Sequence, residues 1–162
     1  MDATQLAITV AVVGLVLYKQ FSGRFVAARD DVLPLVVIAL GVVTLATTPV
    51  TVTAAGIALV AVEVVLAGAL GVLRGRAFVL ENRDGYLYRR GSVALAVAWA
   101  LTIAVRVGAS LVAGGLGAAA LVGASSALVF GASLAVQAAV LHHRAAATGV
   151  PIRPKRASRT GA

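Results

Sequence analysis

Five stretches of the chain are almost purely apolar, and short polar or basic segments separate them. They run from Leu6 to Tyr18, Val32 to Thr48, Thr53 to Leu73, Ser92 to Val112 and Gly117 to Leu141. Val is frequent, but the alternation of a half-buried strand is missing. About 20 apolar residues cross the hydrocarbon core of a bilayer as a helix, and a helix satisfies its own backbone there. The pattern predicts an all-α integral membrane protein, a bundle of five transmembrane helices. The first run is short, with Gln5 and Lys19 extending it. No basic n-region precedes it in Met1-Asp2-Ala3-Thr4-Gln5, so it is expected to stay as a helix of the mature protein.

One segment breaks the helical pattern. Phe78-Val79-Leu80, Asn82-Arg83-Asp84-Gly85 and Tyr86-Leu87-Tyr88 read as a short β-hairpin around an Asp-Gly turn, between helices 3 and 4. Asp30-Asp31 before Val32-Leu33-Pro34 reads as the N-cap of the second helix, with Pro34 in its first turn. Residues 1–150 are expected to form one transmembrane domain. Residues 151–162 are expected to form a basic, disordered cytoplasmic tail.

Composition agrees with the pattern. With 162 residues, 60% hydrophobic and 12% charged, a soluble domain could not hide its apolar side chains. The net charge of +8 would suggest nucleic acid if it formed a surface patch, but no nucleic-acid motif accompanies it. Of the 14 basic residues, all but Arg106 fall in the first loop, the third loop or the tail. The positive-inside rule puts those segments in the cytoplasm, which gives an N-out, C-in, multi-pass protein of the cell membrane with a cytoplasmic hairpin. The two outer loops carry no charge. Cysteine is absent, which excludes disulfides, thiolate nucleophiles and thiolate metal sites.

The candidate chemistry lies inside the apolar runs. Glu63 sits at the middle of the third run, where a charged carboxyl needs a partner or a proton. Its helical neighbours Gly56, Ala67 and Gly71 are small and admit a second helix or a ligand. Arg106 in the fourth run is the natural partner. The alternatives are a structural Glu63–Arg106 lock, and an Arg106 that snorkels to the outer interface. Trp99, Thr102 and Ser110 share the Arg106 face. In the fifth run Ser126, Phe130, Ser133 and Gln137 form a polar and aromatic stripe, for helix–helix hydrogen bonding or a shared cavity. Asp30 and Asp31 are either helix caps or proton-handling groups at the membrane boundary. His142 and His143 diverge by roughly 100° on a helix and do not chelate one metal. No metal site and no cofactor motif is found: P-loop, dinucleotide fingerprint, His-rich motif and nucleophile elbow are all missing.

Tyr18-Lys19-Gln20-Phe21-Ser22-Gly23-Arg24, Leu33-Pro34, Glu63 with Gly68 and Gly71, Arg74-Gly75-Arg76, Arg83-Asp84-Gly85, Tyr88-Arg89-Arg90-Gly91 and Arg106-Val107-Gly108 resemble the CcdC-like family of small bacterial membrane proteins, its actinobacterial members above all. The likeness covers residues 18–108 and implies the architecture more than an activity. In size, helix count and intramembrane acids the chain also resembles the actinobacterial integral-membrane cyclases of indole-linked sesquiterpenes. That second resemblance implies protonation-initiated, class II type cyclisation. Glu63, Asp31 and Asp30 would be its acids; Trp99, Phe130, Tyr18, Arg106, Ser133 and Gln137 would line the substrate. Class II chemistry needs a carboxyl kept protonated, a dry cavity and aromatic faces for the cation. Only 5% of residues are aromatic, which is sparse for that task. A non-enzymatic accessory or assembly protein and a small proton-coupled carrier are the competing expectations. A five-helix carrier would have to oligomerise. Expected partners are the bilayer and a lipophilic small molecule, not nucleic acid.

Overall fold

A computed structural model describes residues 14, 18, 21–26 and 32–152. Among them are four helices and three short strands. In chain order these are β1 (Arg24–Phe25), α1 (Val32–Thr47), α2 (Ala54–Ala77), β2 (Val79–Arg83), β3 (Tyr86–Arg90), α3 (Val93–Gly115) and α4 (Ala119–Ala147). Of the first apolar run only Gly14 and Tyr18 are described, both helical. Asp30, Asp31 and the basic tail from Arg153 onward lie outside the described residues.

Among the described residues, three helices are long and apolar enough to cross a membrane. α2, α3 and α4 have 24, 23 and 29 residues, with mean hydropathies of 2.4, 1.9 and 1.9 over their apolar windows. α1 has 16 residues, about 24 Å at 1.5 Å per residue, short of the ~30 Å hydrocarbon core. Large apolar side chains cover the outside: Leu111 is 73% exposed and Val65 71%. In water these would be costly; lipid solvates them.

Helix starts follow local chemistry. Thr53 and Ser92 cap α2 and α3, their hydroxyls accepting from Gly56 N (3.0 Å) and Leu95 N (3.3 Å). Pro34 lies in the first turn of α1, as expected. Helix ends differ from the apolar pattern. α2 continues four residues past Leu73, so Arg74 and Arg76 belong to the helix and not to the loop. α4 continues to Ala147 and carries His142, His143 and Arg144 with it.

The expected hairpin forms. Val79 pairs with Arg90 and Arg83 with Tyr86, and the turn residues Asp84 and Gly85 have φ of 54° and 76°. Two positive φ values define the turn whose twist suits a hairpin, and Asp-Gly tolerates them. β1 pairs with the far edge of β3, making a three-stranded sheet of order β1-β3-β2. Val26, Leu87 and Ala145 form a small core that fixes this sheet against the end of α4.

α4 is the central helix. It packs against α1 and α2 along most of its length and touches α3 least. Against α2 the approach is close: a Cβ on Gly71 would lie 2.6 Å from the Ser133 carbonyl oxygen, and one on Gly75 2.9 Å from that of Gln137. A Gly-x-x-x-Gly face allows such backbone contact. Arg144 fastens the sheet end of this pair. Its Nη1 donates to the carbonyls of Gly75 (2.9 Å), Arg76 (2.8 Å) and Phe78 (3.0 Å), which the end of α2 leaves without intrahelical donors.

Candidate functional site

α2, α3 and α4 line a half-open cavity of about 530 Å³. It exists because α3 and α4 diverge while both stay packed on α2. Glu63, Trp99, Arg106, Phe130 and Ser133 all face it, with Thr102 and Ser126 between them. Five of the expected site residues therefore meet at one place. Ile103 and Val107 complete the α3 side, 49% and 54% exposed on the flank of the helix, so the cavity reaches the apolar surface there.

Glu63 is 3% exposed. Arg106 Nη1 donates to Glu63 Oε1 at 2.6 Å, and Arg106 Nη2 donates to the Val122 carbonyl at 2.9 Å. One guanidinium thus joins α2, α3 and α4. The reach across helices, not snorkelling, accounts for Arg106. Ser110, on the same face, donates to the Arg106 carbonyl and stays exposed. Glu63 Oε2 is buried and has no hydrogen-bond partner among the described residues.

The other end of the cavity is aromatic and cationic. Trp99 lies 5.9 Å from Phe130, rings tilted by 56°. On the indole sits Arg74, its guanidinium carbon 4.5 Å from the ring centroid. Arg74 is fully buried. It donates through Nη2 to the Ser133 hydroxyl and through Nε, at 3.4 Å, to the Leu70 carbonyl. Ser133 in turn donates to the Ala67 carbonyl at 2.5 Å. Arg74 Nη1 and Trp99 Nε1 are buried without acceptors among the described residues.

Arg74 is the site residue that sequence reasoning missed. Sorting basic residues by loop placed it with the topology charges, although Gly71 and Gly75 on either side already mark a helix face packed tightly on a neighbour. Two expected residues stand elsewhere. Gln137, one turn beyond Ser133, faces a separate cavity of about 50 Å³ with Arg24, Pro34, Arg89 and His142. Tyr18 is 72% exposed and is not in the wall of the larger cavity. Asp30 and Asp31 lie outside the described residues. Among the described residues no group of three His, Cys, Asp or Glu side chains is placed to hold a metal ion.

No family model matches the chain, and no match is found among curated proteins or among solved structures.

Chemically, the site offers a carboxylate with Arg106 on one oxygen and no partner on the other among the described residues, an apolar space, and a buried guanidinium behind the far wall. Such an arrangement suits a largely hydrocarbon molecule with few polar groups.

Proposed function

We propose that this chain is a multi-pass protein of the cell membrane that takes a lipophilic small molecule into the α2–α3–α4 cavity, and that Glu63 performs proton-transfer chemistry on it. The observation that carries the proposal is the carboxyl of Glu63, buried in the wall of an apolar cavity with Arg106 on one oxygen and no partner on the other among the described residues. Intramembrane acids that face a cavity are functional by default. The half-exposed Ile103 and Val107 support access from the bilayer rather than from water.

Within that reading, protonation-initiated cyclisation of a terpene or prenylated indole epoxide is the reaction favoured. Glu63 would deliver its proton to the epoxide oxygen as the C–O bond opens, and the Trp99 and Phe130 faces would stabilise the resulting cation. The ion pair sets a condition on this step. A carboxylate held by a guanidinium is an acceptor, so Glu63 must first gain a proton and loosen its hold on Arg106. Asp30 and Asp31 remain the candidate proton sources.

One observation favours a second reading. Because Arg106 also bonds Val122, the Glu63–Arg106 pair is a three-helix lock, which suits a non-enzymatic accessory protein of the CcdC-like kind.

Glu63→Gln separates the two. Turnover of a prenylated-indole epoxide, assayed in membranes well below the melting temperature, is expected to fall at least ~100-fold if Glu63 is the acid. Unchanged turnover in a folded Glu63→Gln protein rejects Glu63 as the acid, and absence of turnover in the parent protein rejects the cyclase reading. The five-span, N-out, C-in topology is also part of the proposal. The described Arg24, Arg76, Arg83, Arg89, Arg90 and Arg144 gather at the sheet end, which supports a cytoplasmic sheet. A C-terminal fusion to a reporter that works only in the cytoplasm should be active; activity of a periplasmic reporter there instead would reject it.

A further inference from the structure

We infer that the cavity selects lipophilic anions: an apolar chain ending in a single oxyanion, carboxylate or phosphate, whose head lies at the Trp99–Ser133 end beside Arg74. The inference rests on the lipophile-binding reading above and narrows its substrate class.

The argument is one of charge. Glu63 and Arg106 neutralise each other at one end of the cavity. Arg74 stands at the other end, 11 residues along α2, about 16 Å at 1.5 Å per residue. The described acids are Glu63, Glu81 and Asp84. Glu81 pairs with Arg90 on the sheet, and Asp84 is in the hairpin turn. Arg74 therefore has no carboxylate among the described residues, although it is fully buried. Its partners are a hydroxyl, a carbonyl and the face of an indole, which compensate a desolvated guanidinium only in part.

The donors left over point to what would complete it. Trp99 Nε1–H and Arg74 Nη1–H are both buried and uncommitted among the described residues. Leu70, Trp99 and Ser133 form the cavity wall that separates Arg74 from the open space, and Arg74 touches all three. An oxyanion at that wall lies in the field of the guanidinium, which sits behind the Trp99 ring and the Ser133 hydroxyl. A neutral head group leaves the charge uncompensated. The hydrocarbon remainder has the Phe130, Ile103 and Val107 side of the cavity to fill.

Trp99 is the chain's single tryptophan, so its fluorescence reports on this wall alone. The full chain, in a neutral detergent, is titrated with dibromostearate, with its methyl ester, and with a brominated long-chain alkyl phosphate. Saturable quenching by the two anions, at least ~10-fold tighter than by the ester, is the expected result for a charge-assisted contact. Arg74→Met should remove that preference and leave ester quenching intact, while Arg74→Lys should keep part of it. Arg76→Gln, on the exposed side of the same turn, should change nothing. Should Arg74→Met fail to fold, the acid-to-ester ratio in the parent protein still decides. Equal quenching by acid and ester overturns the anion selectivity and leaves a lipophile site. Quenching by none of the three overturns the lipophile-binding reading itself. A preference for only one of the two anions names the head group.

Discussion

The two faces that α4 presents to its neighbours in sequence differ in kind. Toward α2 it meets Gly71 and Gly75, and the backbones come so close that a Cβ has no room. Toward α3 it meets Trp99 and Arg106, and the helices part around a cavity of about 530 Å³. One interface is closed by small residues and fastened by the short polar contacts of Arg74, Ser133 and Arg144. The other is bridged by long side chains, with Arg106 reaching the Val122 carbonyl and Trp99 meeting Phe130. Helices in lipid gain little from hydrophobic association, so close packing needs small residues, and space is kept where bulky or polar ones stand between. The difference teaches that close packing and open space can be kept on two faces of one helix by the size of the side chains between the backbones.

The largest effect should come from filling the closed face. Gly71→Leu forces a side chain into the Ser133 carbonyl and the Val136 side chain, and should cost ~3 kcal/mol or more, read as a large fall in melting temperature in detergent. If the protein accepts Leu there with little loss, the two faces are not distinct.

Next is the bridge across the open face. Glu63→Gln leaves Arg106 without its carboxylate. Breaking a buried pair costs several kcal/mol, but Arg106 is about one-third exposed, so the loss expected is ~2 kcal/mol. Glu63→Gln with Arg106→Gln should recover part of it in a double-mutant cycle. Simple additivity would mean that the pair contributes no coupling.

The smallest effect should come from trimming the cavity wall. Phe130→Ala in a packed core would cost about 3–5 kcal/mol, but this ring already borders open space, so ~1 kcal/mol is expected. A loss as large as that of a packed core Phe would show that the cavity is filled when the protein is folded in detergent.

Much of this was legible in the residues. An acid and an arginine in neighbouring apolar runs had to find each other or water, which is why Glu63–Arg106 could be expected before any geometry. Asp84-Gly85 announced its turn because few residues tolerate two positive φ values. Thr53 and Ser92 opened their apolar runs, and in the structure they cap α2 and α3. Other features left no such trace. Apolarity ends before the helices do, so the last turn of α2 and of α4 went unseen, and Arg74 was read as a loop charge. β1 is two residues long in a basic loop, too short for alternation to register. Gln137 shares a helical stripe with Ser133, yet the sheet end closes over it and gives it a different cavity.

Arg144 has a mechanical consequence. By gripping three carbonyls at the end of α2, it makes the sheet end of α2 and α4 a fixed joint. Ser92 ties the start of α3 to the same place through the Ala77 carbonyl at 2.5 Å. At the far end α3 and α4 are linked by a tight turn, Leu116-Gly117-Ala118, in which Gly117 has a φ of 66°. α3 is therefore pinned at both ends, and between them Arg106 is the strut that spans the gap to α4. Any widening of the gap has to bow α3 outward like a bent stave and draw that strut off the Val122 carbonyl.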